Sequence, residues 1–75
     1  MEIIGHIEVN STGYCSIYTD AIIGNTVPLG YGNRIEEAKA DLWEVINESL
    51  EDYRKEYGSL PKELEQINIS FVIED

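Results

Sequence analysis

Residues 34–57 read RIEEAKADLWEVINESLEDYRKEY. Within them Ile35, Ala38, Leu42, Val45, Ile46, Ser49, Tyr53 and Tyr57 recur at three- and four-residue spacing. At about 100° per residue these positions fall in one stripe, the pattern of an amphipathic helix laid against a core. Asn33, with Glu36 three residues on, has the spacing of an N-terminal capping arrangement, and Gly58 stands where a left-handed residue ends a helix well. A helix of this length occupies the middle of a 75-residue chain. Everything else must then be short segments that share one core with it.

On the N-terminal side, Ile3, Gly5, Ile7 and Val9 alternate with Ile4, His6, Glu8 and Asn10, which is the period of a strand with one buried face. Ser11-Thr12-Gly13 is a turn signal, and Tyr14–Thr19 reads as the returning strand of a hairpin. Ala21–Asn25 form a loop leading to a short third strand near Val27–Tyr31. Pro28 has no N–H to give a ladder, so this strand belongs at an edge. Beyond Gly58, Leu60-Pro61-Lys62 is a connection with room for a helical turn through Leu64. A last strand follows, with Ile67, Ile69, Phe71 and Ile73 inward and Asn68, Ser70 and Glu74 outward. The order is β-β-β-α-β. The expected fold class is α+β, residues 1–75 forming one domain in which a small, mainly antiparallel sheet has one long helix packed on one face.

Charge narrows the function classes. Five Lys and Arg against fifteen Asp and Glu give a formal net charge of −10. A chain so acidic repels phosphate backbones and anionic membranes, so neither nucleic acid nor a membrane is an expected partner. A basic protein fits better. The single cysteine, Cys15, excludes an internal disulfide framework and agrees with a reducing cytoplasm. The first residues lack a cationic stretch followed by a long apolar run, and no apolar run approaches a membrane span. Small chains hold about 3–5 kcal/mol in one core. With Ile4, Ile22 and Ile23 away from the expected buried set, at least a dimer is expected, formed through a sheet edge or face.

The junction Gly30-Tyr31-Gly32-Asn33-Arg34-Ile35-Glu36-Glu37-Ala38, with the hairpin before it and the strand after it, resembles the HicB-type antitoxin domain over essentially the whole chain. That family's junction reads glycine, polar residues, Thr or Ser, an aliphatic residue and Glu-Glu-Ala. Arg34 departs from it at the Thr/Ser position, which shifts capping to Asn33. The resemblance implies a partial RNase H-like fold that neutralises a small, basic, mRNA-cleaving toxin of the HicA type. It also implies that a DNA-binding segment belongs to longer relatives, this chain corresponding either to a stand-alone relative or to the N-terminal domain of a longer antitoxin.

The helix outer face carries Glu37, Asp41, Glu44, Glu48, Glu51 and Asp52. Read plainly it is a solvated face; read functionally it steers a basic partner by charge, with Glu44, Glu48 and Glu51 as the candidate contacts. Trp43, on the flank of the apolar stripe, is either half-buried core or an aromatic anchor for a partner. His6 and Glu8 share one strand face, too few groups for a zinc site. Gly30-x-Gly32 is followed by Ile35 rather than a third glycine, so it is no dinucleotide loop. No catalytic, cofactor or metal residues are assigned. The expected function is therefore binding: an antitoxin domain that occludes a toxin, or alternatively a stand-alone oligomerising or regulatory module with no toxin partner.

Overall fold

The computed structural model describes residues 1–74. Its strands are β1 (Glu2–Val9), β2 (Cys15–Thr19), β3 (Leu29–Gly32) and β4 (Asn68–Ile73). One helix, α1 (Ile35–Tyr57), follows β3, and a single 3-10 turn (Lys62–Leu64) precedes β4. The order is β-β-β-α-β, an α+β fold. The four strands form one sheet in the order β3-β2-β1-β4. β1 pairs antiparallel with β2, and β2 with β3, whereas β4 lies parallel to β1. β3 and β4 therefore run the same way at opposite edges, and α1 is the long crossover that parallel strands require.

The core is Ile3 and Ile7 from β1, Cys15 and Ile17 from β2, Ile23 from the loop, Ala38, Leu42 and Ile46 from α1, and Leu64 from the turn. The strand and helix members are the inward positions of a period-2 strand and of a 3.6-period helix, while Ile23 and Leu64 enter the core from a loop and a turn. The helix seats mainly on β3 and, to a lesser degree, β2. It is thus set off-centre, leaving β4 largely outside its cover.

Four local expectations are corrected. The helix begins one residue later than Asn33 would make it: Arg34 is the N-cap, extended at φ −139°, with no side-chain cap. The carboxylate that closes this end is Glu37, which accepts from the Asn33 N–H at 3.3 Å, so neither Asn33 nor Glu36 forms a capping box. Ile23 is core, at 1% exposure, while its neighbour Ile22 is 62% exposed. Ile23 and Thr26 pair backbone to backbone at 2.8 and 3.0 Å around Gly24, whose φ of +65° suits the first central position of a II′ turn. That two-residue turn rotates Ile23 inward. Val9, Ile73 and Tyr57, expected inward, are exposed because the strands and the helix outrun the layer that should cover them.

At the far end Gly58 adopts φ +84° and its N–H bonds the Arg54 carbonyl at 2.8 Å, which is the expected left-handed stop. The first turn of α1 carries Glu36 and Glu37 and the last carries Arg54 and Lys55, so both ends match the helix dipole. No helix among the described residues is long and apolar enough to cross a membrane.

Candidate partner-binding surface

With α1 on one side, the other side of the sheet is open. Strand register places Leu29, Tyr18, His6 and Val72 in one row across it, because Tyr18 faces Leu29 and His6 faces both Tyr18 and Val72. The neighbouring row is Tyr31, Ser16 and Glu8. Leu29, Tyr18, Val72, Tyr31 and Ile4 are all exposed. Apolar and aromatic surface arranged across contiguous strands is what an interface supplies, rather than the scattered exposure of an ordinary surface.

The rings are ordered among themselves. His6 stacks on Tyr18 with centroids 4.8 Å apart and planes at 14°. Tyr14 and Tyr31 stack at 6.5 Å and 17°. Nδ1 of His6 donates a hydrogen bond to Oε1 of Glu74 on the residue just past β4, and its Nε2 lies 4.0 Å from Oδ2 of Asp20. A sequence reading pairs His6 with Glu8, two residues away on the same strand. The structure brings in Glu74 instead, 68 residues away, through the parallel pairing of β1 and β4.

Tyr18 registers this environment. Its hydroxyl is held above the ordinary tyrosine value, first by partial desolvation and then by the negative charge of Glu74, Glu8 and Asp20. The folded chain thus keeps this proton where the unfolded chain has lost it. The associated stability is complete below the ordinary tyrosine range and falls as pH rises through it. In an ultraviolet titration of tyrosinate, Tyr18→Phe is expected to remove a late-titrating component. If that component persists in the variant, the carboxylates do not converge on Tyr18.

The residues singled out on the helix lie elsewhere. Glu44, Glu48 and Glu51 are exposed on the outer face of α1, and Trp43 is 37% exposed on its flank, one turn after Lys39. The ammonium of Lys39 sits 4.5 Å over the Phe71 ring, so this flank faces β4. None of these four side chains touches the open sheet face, and the fold does not gather them into one cluster with it. Two other helix acids turn out to be structural: Asp41 accepts from the Tyr31 N–H at 2.9 Å and Glu37 from that of Asn33, so both are bound to the β3 edge.

A cleft of about 390 Å³ lies between the Ile23–Thr26 turn and the second half of α1, with Asp52 and Glu56 as its charged groups. It offers carboxylates and tyrosines but neither a histidine nor a cysteine as nucleophile or base. Among the described residues no three His, Cys, Asp or Glu side chains come together as metal ligands.

No family model matches the chain, and no curated protein or solved structure matches it either.

Proposed function

We propose that the chain is the toxin-neutralising domain of a type II toxin–antitoxin system, binding in the cytoplasm to a small basic mRNA-cleaving toxin and occluding its RNA-binding surface. The observation that supports this reading is the charge arrangement of the open sheet face. All four strands lack Lys and Arg, while Glu8, Asp20 and Glu74 stand around the His6–Tyr18 stack. An aromatic centre bordered by carboxylates suits the guanidinium and ammonium groups of a surface built to hold RNA, through ion pairs at the rim and cation–π contacts over the rings. The resemblance of Gly30–Ala38 to the HicB-type junction supports the same reading. Neutralisation by occlusion needs no catalytic residue, metal or cofactor in this chain.

The test is co-purification with the product of an adjacent gene encoding a short basic protein, followed by association kinetics. A stable complex that restores growth to toxin-expressing cells is the expected result. Glu8→Lys with Asp20→Lys should slow association about tenfold and flatten its salt dependence, because rim charges act on encounter. Glu44, Glu48 and Glu51 changed together to Lys should do less. The reverse ranking moves the contact to the helix face and Trp43. No complex, and no rescue of growth, sinks the antitoxin reading. The alternative is a self-assembling module without a toxin; the uncovered edge of β4 serves self-assembly under either reading.

A further inference from the structure

The two edges of the sheet are finished differently. At β3 the outward N–H of Tyr31 is taken by Asp41 and that of the next residue but one, Asn33, by Glu37. Helix side chains therefore close this edge to another strand. At β4 the N–H groups of Asn68 and Glu74 point inward to the carbonyls of Met1 and Ile7. Because backbone groups alternate along a strand, those of Ile69, Phe71 and Ile73 point away from the sheet. Asn68–Ile73 carries no charge and no proline, and it forms an unbroken six-residue ladder with β1. It thus lacks the charges, prolines and bulges by which edge strands are normally protected.

We propose that a second copy of this chain pairs antiparallel along β4, making one continuous eight-stranded sheet. Charge selects this occupant and this place. The open face presents Glu8, Asp20 and Glu74, the outer helix face presents Glu44, Glu48 and Glu51, and the β3 edge presents Glu37 and Asp41. Two chains of net charge −10 that met through any of these would set acid against acid. Along Asn68–Ile73 they meet through uncharged residues, with Lys39 lying over Phe71 beside the seam, and the acid at the strand's end, Glu74, is already bonded to His6 of its own chain.

The strand is also complementary to itself. A two-fold axis at Phe71 places each Phe71 opposite the other, Ile69 opposite Ile73, and Ser70 opposite Val72. It also sets Glu74 opposite Asn68, whose amide donates to Glu2 of its own chain at 3.2 Å and stands between the two carboxylates. The outward groups of Ile69, Phe71 and Ile73 are then the hydrogen-bonding set of both strands. The pairing covers Ile73, which is 61% exposed in the single chain, and extends the cover of half-buried Ile69 and Phe71. This assembly leaves the open sheet face free, so it holds with or without a toxin.

Sedimentation equilibrium at micromolar concentration should give twice the 8.5 kDa chain mass. Association should tighten with added salt, because screening weakens repulsion between the two acidic chains. A toxin contact would weaken under the same change. Ile73→Pro removes an N–H that faces outward and leaves the β1 ladder intact, so it should keep the fold and raise the dimer dissociation constant about tenfold or more. Hydrogen exchange on the unaltered chain gives a readout that does not depend on the variant. The Ile69, Phe71 and Ile73 amides should gain protection as concentration rises. A strict monomer overturns the proposal. So does a dimer whose outward β4 amides stay unprotected.

Discussion

Gly30→Ala is expected to leave the chain largely unfolded. A Cβ at Gly30 would stand 2.5 Å from the Ala38 carbonyl oxygen, 2.7 Å from Leu42 Cβ and 2.8 Å from the Leu42 nitrogen. Two of these three atoms are helix backbone, so no rotamer change relieves the clash; α1 itself must lift from β3. Overpacking of a tight core costs about 1–3 kcal/mol and more where backbone has to move. A domain of this size holds about 3–5 kcal/mol in its core, so the loss is a large share of the total. Gly5→Ala provides the graded comparison. There the added Cβ meets Phe71 and Ile17 side-chain atoms at 3.0–3.2 Å, and Phe71 lies at a half-open edge where it can shift. Thermal melts followed by circular dichroism should rank the unaltered chain above Gly5→Ala and Gly5→Ala well above Gly30→Ala. A Gly30→Ala chain melting cooperatively near the unaltered midpoint would mean that the helix is not seated on β3.

The same close approach shows what the sequence could and could not reveal. Glycines at positions 30 and 32 are legible as a tight strand-to-helix junction, and the structure adds the reason: β3 lies directly beneath the first turns of α1, where Gly32 faces Glu37 and Ala38 as Gly30 faces Ala38 and Leu42. The buried stripe of Ala38, Leu42 and Ile46 and the inward pair Ile3 and Ile7 are legible because they repeat with the local period of their own element. Contacts that join distant segments have no such period. The hydrogen bond of His6 to Glu74 depends on β4 lying parallel beside β1, and nothing in either segment specifies that neighbour. Asp41 and Glu37 look like any other acids on a solvated face, yet they close an edge that only the tertiary fold creates. Ile23 escapes a strand-based reading because a turn, not a ladder, sets its direction. The candidate surface was legible only in part: the acidic excess is plain in composition, but the gathering of Glu8, Asp20 and Glu74 around Tyr18 is a product of register.

Leu42→Ala and Trp43→Ala, adjacent in sequence, should separate core from interface. Leu42 is wholly buried at the centre of the α1 stripe, against Gly30 and the β2–β3 side of the sheet. Truncating it removes apolar burial and leaves a cavity, at a cost of about 2–5 kcal/mol, enough to populate the unfolded chain at room temperature. Any loss of binding to the proposed toxin partner by Leu42→Ala is then a loss of folded protein, and it should track the melting curve. Trp43 is 37% exposed, and its flank of the helix faces β4 through Lys39 and Phe71. In a single chain its truncation should cost well under the Leu42 value, about 1 kcal/mol, the centre of the range for point substitutions in general. Under the β4 pairing this flank lies beside the seam, so Trp43→Ala should lower the melting point more at high protein concentration than at low, as linkage to a dimer requires. Equal destabilisation by the two variants at every concentration would place Trp43 in the core of the single chain. It would then leave both the proposed toxin contact and the proposed seam to the strands.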